Sequence, residues 1–231
     1  MSVTIPARRL LWLFLAIAVL FSILGGLGEY SGEFMPGDPL RSLRAFDFAR
    51  GNVPTWFTSA AFLSCTLLLL TIAAHARHAS HRAALLWGGL AVLMLALSIN
   101  EIFAVEHNTL LDYATRALRL TLRTDGLTVL VVISGVVSVA GMALYSRLFL
   151  SLPAGTRRAF LVAGAVYLGG AIGLQMVGTL IGRQPGGNPL LQLVVSNIEE
   201  LCEIAGVLIF LYGLLTFIEQ CIGPITLTVR Q

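Results

Sequence analysis

Residues 196–215 read "SNIEELCEIAGVLIFLYGLL". The second half is apolar enough to cross a bilayer, while the first half carries Glu199, Glu200 and Glu203 within five residues. A carboxylate at the centre of a bilayer costs roughly 2.5–3.5 kcal/mol on insertion scales. The stretch is therefore either a helix with a buried working site or one that begins above the lipid. At 100° per residue, Gln192, Ser196, Glu199, Glu200 and Glu203 fall on one arc of about 100°. Gly206, Val207 and Phe210 continue that stripe without polar groups. A polar half-stripe that stops at Gly206 describes a pocket open to one side, and a continuous ion path would need polar residues further in. Counting 20 residues back from Ile218 puts the hydrocarbon boundary near Glu199, with Glu203 about 6 Å below it. Wetted carboxylates paired with Arg116, Arg119 or Arg123 are the structural alternative to a working site.

The rest of the chain is of the same kind. Of 231 residues, 57% are hydrophobic and 12% charged, and the mean hydropathy is +0.86. Soluble domains carry about twice that charge fraction, so the chain reads as an integral membrane protein. All 15 basic residues are Arg, and the net charge is only +3. No basic run points to nucleic acid. Six apolar runs, at about 10–28, 55–75, 83–105, 127–147, 158–182 and 190–218, approach the roughly 20 residues that a spanning helix needs. They predict an all-α, six-helix bundle forming a single integral domain over 1–231. The first run follows two Arg and has the look of a signal peptide, but no A-x-A site follows, so an uncleaved helix is expected. Eight Arg on one side against seven on the other favour cytoplasmic N- and C-termini.

Between the third and fourth runs, "TLLDYATRALRLTLR" (109–123) places Asp112, Arg116, Arg119 and Arg123 on one helical face. Leu111, Ala114, Leu118 and Leu122 gather on another. This predicts a short amphipathic helix lying in the interface. Its Arg either snorkel to lipid phosphates or contact an anionic substrate. Small residues at helical spacing, Ala165, Gly169, Gly173, Gly178 and Gly182 in the fifth run and Ser134, Ser138 and Gly141 in the fourth, predict close helix packing. Cys65, Cys202 and Cys221 form no C-x-x-C pair and read as small hydrophobes. His75, His78 and His81 sit in a tight turn with no nearby acid and read as solvated. Asn52 is expected to cap the second helix, with Pro54 in its first turn and Trp56 at the interface.

Other helix ends bring polar groups to the level of the three glutamates: Asn100, Glu101, Glu106, His107 and Asn108 from the third run, Glu29 from the first and Asp125 from the fourth. Carboxylates and a histidine from several helices are how metal centres are built in bundles, and such ligands suit Zn, Mn or Fe. The expected first ligands are Glu101, His107, Glu199, Glu200 and Glu203, backed by Glu29, Asn100, Glu106, Asp125 and Ser196. Haem is not expected, since His107 has no second histidine on its side of the bundle.

Three stretches together, "FDFARGNVPTWFTS" (46–59), "LSINEIFAVEHN" (97–108) and "IEELCEIAGVLIFLYGLL" (198–215), resemble a family of uncharacterised bacterial multi-pass membrane proteins. That family has a G-N-x-P-T-W-like helix entry, an L-S-x-D-E stretch followed by His and Glu, and an E-E-x-x-E start to the last helix. Here Asn100 stands in place of Asp, and Glu106-His107 replaces His-Glu. The resemblance implies a bacterial inner-membrane protein and carries no activity. The expected function is an outward-facing Glu/His metal or proton site, acting on a lipid-like substrate if the protein is an enzyme. The alternative is an accessory or assembly subunit of a larger membrane complex, with a membrane-protein partner docking on the charged cluster.

Overall fold

The computed structural model describes residues 6–48, 51–103, 126–182 and 188–223, with backbone alone at 126–134, 137–138 and 142. Apolar sequence of this length has one way to satisfy its backbone in lipid, which is to wind into helices. The described residues are predominantly helical, with no strand among them. The helices are α1 (Ala7–Phe34), α2 (Val53–Ala76), α3 (His81–Phe103), α4 (Gly126–Ser151), α5 (Ala154–Gly182) and α6 (Pro189–Cys221). Among the described residues, α1, α2, α3, α5 and α6 are each long and apolar enough to cross a membrane. α4 is a helix of 26 residues. The expected interfacial helix at 109–123 lies outside the described residues.

α2 and α6 form the centre. α2 packs along α3, and α6 packs along α5, α1 and α2. Their shared core includes Phe62, Cys65, Leu69, Leu208, Leu211 and Leu214. Trp87 of α3 stacks obliquely on Phe217 of α6 at 5.3 Å, and Phe160 of α5 meets Phe210 of α6 at 4.6 Å. Large apolar side chains elsewhere point outward, among them Trp12, Leu85, Val92 and Phe103. Such exposure is a liability in water and the norm against acyl chains. α2 and α3 are also joined by a polar clasp. Ser59 Oγ donates to Ser98 O (3.0 Å), Ser98 Oγ donates to Ser59 O (3.0 Å), and the two hydroxyls lie 2.9 Å apart, all buried. Ser98 thus holds two helices together.

The small-residue pattern of α5 is shifted from the expected one. Residues Gly169–Leu174 wind as a π turn, which takes an extra residue per turn and changes the phase of the stripe. Gly170 therefore faces α6, where a Cβ would meet Cys202 Cβ and Glu199 O at 2.9 Å each. Gly169 and Gly173 have nothing within 4 Å of a Cβ, whereas Gly178 and Gly182 approach Val195 and Gln192 of α6. Gly141 of α4 has no neighbour within 4 Å of a Cβ either, so no close packing is seen there among the described residues. The side chains of Ser134 and Ser138 are outside the described set.

Two further expectations are corrected. α1 continues to Phe34, so Glu29 and Glu33 are helical residues, and the connection to α2 is correspondingly shorter. Cys65 is buried as expected, but Cys221 is exposed at the end of α6.

Candidate functional site

The connection between α1 and α2 folds back on α1 as a 3-10 helix, Arg41–Phe46. It can do so because the face of α1 beneath it carries no side-chain bulk. A Cβ on Gly25 would lie 2.4 Å from Phe46 O and 2.6 Å from Asp47 Cα. One on Gly28 would lie 2.8 Å from Arg44 N. Backbone thus rests on backbone along Gly25 and Gly28, the close approach that glycine allows in helix packing. Ser31, fully buried in the same face, ties the strap down. Its hydroxyl donates to Asp38 Oδ1 (3.0 Å) and accepts from Leu40 N (3.1 Å). The Arg44 guanidinium crosses over Gly32 and pairs with Asp38 at 3.3 Å. Phe21 stacks on Phe46 at 5.9 Å.

At its far end the strap is held by Asn52. This residue stands at the N-cap of α2, yet its side chain makes no capping bond. Nδ2 instead donates to Arg44 O (3.0 Å) and to the Asp47 carboxylate. The expected cap is therefore a tether. Pro54 does occupy the first turn, and Trp56 is exposed beside it.

The other side of an open cleft is formed by the start of α6. Asn188 caps it, with Oδ1 accepting from Leu190 N (3.0 Å) and Leu191 N (3.3 Å), and Pro189 fits the first turn. Ser22 of α1 donates to Asn197 Oδ1, fixing the rotation of α6 against α1. Between strap, α1 and α6 lies a cavity of about 460 Å³, lined by Glu29, Glu33, Arg44, Asp47, Gln192 and Ser196 among others. A second, of about 240 Å³, adjoins it through Glu29 and Ser196 and is closed by Phe48, Asn197 and Glu200. Among the described residues, four carboxylates and one guanidinium line the pair. The guanidinium also pairs with Asp38 outside the lining, and four carboxylates against one guanidinium give the cavity an acidic field that favours cations.

The expected residues divide as follows. Glu29, Ser196 and Glu200 meet in this cavity. Glu199 and Glu203 place their backbones against Gly170 of α5, on the neighbouring face of α6. At Gly206, where the polar residues of the stripe stop, α5 packs directly on α6. A Cβ there would lie 2.7 Å from Tyr167 Cβ. Asn100 and Glu101 stand near the end of α3, whose long contact is with α2. Glu106, His107, Arg116, Arg119, Arg123 and Asp125 lie outside the described residues. Among the described residues, no three His, Cys, Asp or Glu side chains come close enough to hold one metal ion. His75, His78 and His81 border the turn between α2 and α3.

Glu33, Arg44 and Asp47 were not among the expected site residues. The signal that could have found them is the stripe Gly25, Gly28, Ser31, Gly32, which marks α1 as the seat of a returning chain.

No curated protein and no solved structure matches the chain. A family model does match residues 8–217, nearly the whole length, and the chain therefore belongs to the family described as Domain of unknown function (DUF8692).

Proposed function

We propose that the chain is a six-span protein of a bacterial inner membrane, with both termini cytoplasmic, that binds a cationic ligand in the acidic cavity at the outer ends of α1 and α6. One observation carries the reading. Glu29, Glu33, Asp47 and Glu200 surround a space in which Arg44, the lining cation among the described residues, is held by Asp38. The larger cavity, about 460 Å³, falls within the roughly 300–1,000 Å³ typical of small-molecule sites. That size suits a hydrated ion or the amine head of a lipid-like molecule better than a bare metal ion. A Zn, Mn or Fe ion bound there would keep part of its water shell. The 26 residues of α4 are enough for a sixth crossing.

The test is thermal unfolding of the detergent-purified chain with Mn²⁺, Zn²⁺, ethanolamine or spermidine, against NaCl of equal ionic strength. A ligand at 100 times its Kd stabilises by about 2.7 kcal/mol. The expected result is stabilisation by at least one of these cations beyond the salt control, lost in Glu29→Gln and in Glu200→Gln. No cation-specific shift in the parent, or an equal shift in both variants, would refute the reading.

A further inference from the structure

A further cavity lies along the same face of α6, at mid-height beyond Gly206, and shares no lining residue with the acidic site. Phe62 of α2, Leu93 and Leu97 of α3, Gly164 of α5, and Gly206 and Phe210 of α6 line an apolar groove of about 300 Å³. These positions fall in the middle part of α2, α3 and α6 and in the first half of α5, so in a membrane the groove lies deep in the hydrocarbon layer. Leu93 and Leu168 form its rim and are exposed, at 50% and 43%, so it opens sideways to whatever surrounds the helices. A Cβ added at Gly164 would meet nothing within 4 Å. Its lack of a side chain serves no packing contact among the described residues, in contrast to Gly206, which is pressed against Tyr167. Among the described residues, nothing fills the space over Gly164.

We propose that this groove is a binding site for one acyl chain of a membrane lipid, entering laterally between α3 and α5. At this depth, acyl chains are the mobile species present, and water would gain no hydrogen bonds from Phe, Leu and Gly walls. The groove is too small for a whole lipid, so the headgroup stays outside it. Because the groove and the acidic cavity share no lining residue, either site can fail without the other.

The experiment uses the full chain in vesicles of phosphatidylglycerol and phosphatidylcholine doped with a phospholipid carrying a mid-chain diazirine. Peptide mass spectrometry then locates the adducts. Labelling should concentrate on α3 and α5 at Leu93, Leu97 and Leu168, above the level on the exposed α1 residues Trp12 and Leu20. Gly164→Leu, which has room for its side chain, should lower groove labelling roughly fivefold, the factor that about 1 kcal/mol represents, and leave α1 labelling and the cation response unchanged. Gly164→Ala should give a smaller loss and serves if the leucine variant does not fold. Uniform labelling of all outward faces, or groove labelling insensitive to both variants, would overturn the proposal. So would a disulfide between Leu144→Cys and Leu168→Cys forming at the expense of labelling, since α4 would then be the occupant.

Discussion

Gly25→Ala should loosen the strap that walls the acidic cavity, and a matched variant isolates the effect. A methyl group at Gly25 would stand 2.4 Å from Phe46 O and 2.6 Å from Asp47 Cα. Both are backbone atoms and cannot rotate aside. Overpacking of this kind costs about 1–3 kcal/mol. Alanine also gains roughly 0.5–1 kcal/mol over glycine within a helix, which blurs the single measurement. Gly88→Ala in α3 receives the same helix gain and meets nothing within 4 Å, so the difference between the two variants is the overpacking cost. For a chain of 231 residues, about 2–4 °C per kcal/mol makes that difference roughly 2–12 °C in Tm. Detergent-solubilised protein followed by intrinsic Trp fluorescence during heating would measure it. The same Gly25 variant should bind the stabilising cation more weakly, because Asp47 and Phe48 are carried on the displaced segment. Equal Tm values for the two alanine variants would mean that the strap is not seated on α1, and the cavity would lose one wall.

The Ser59–Ser98 clasp should show positive coupling in a double-mutant cycle to alanine, by about 0.6 kcal/mol and up to about 1.7 kcal/mol, the range found for interhelical hydrogen bonds in membranes; strict additivity would refute it. Asn52→Ser keeps a residue type favoured at N-caps but removes the reach to Asp47 and to Arg44 O. It should therefore destabilise as much as Asn52→Ala, by about 1 kcal/mol, in chemical unfolding of the detergent-purified chain. Full rescue by serine would restore the capping interpretation.

The crossing helices were legible because hydropathy needs only composition and length. Their ends were less so. Glu29 and Glu33 look like the exit of α1, but the helix runs on to Phe34 because Ser31 and the glycines are covered by the returning strap. The close helix contact at Gly206 was legible, since a glycine within an apolar run permits a neighbouring backbone to approach. The phase of the α5 stripe was not, because a π turn is invisible to a 3.6-residue period, and it moved the contact from Gly169 to Gly170. Of the expected site, Glu29, Ser196 and Glu200 could be found by helical arc and level. Arg44 and Asp47 could not, because no periodicity states which face a loop returns to. Asn52 misled for a related reason: an amide that could cap its own helix found a carboxylate five residues upstream instead.

The strap also bears on how a cation would be held. A loop that closes over a ligand must be ordered at the moment of binding, and that ordering subtracts from affinity. Here the ordering is complete beforehand. Ser31 fixes Asp38 and Leu40, Asp38 holds Arg44, and Asn52 holds Asp47 and Arg44 O. Glu29 and Glu33 are carried on α1, and Glu200 on a helix whose rotation is set by Ser22 and Asn197. The Arg44–Asp38 pair matters twice over, since it anchors the strap and gives the lining guanidinium a partner outside the cavity. Releasing it therefore has two opposed consequences. Asp38→Asn would free Arg44 to neutralise the cavity and weaken cation binding, while Arg44→Gln would remove the guanidinium and strengthen it, although both variants lose the same ion pair. A purely structural role for the pair predicts the same sign for both, so measuring cation-induced stabilisation in the two variants separates an electrostatic site from a scaffold.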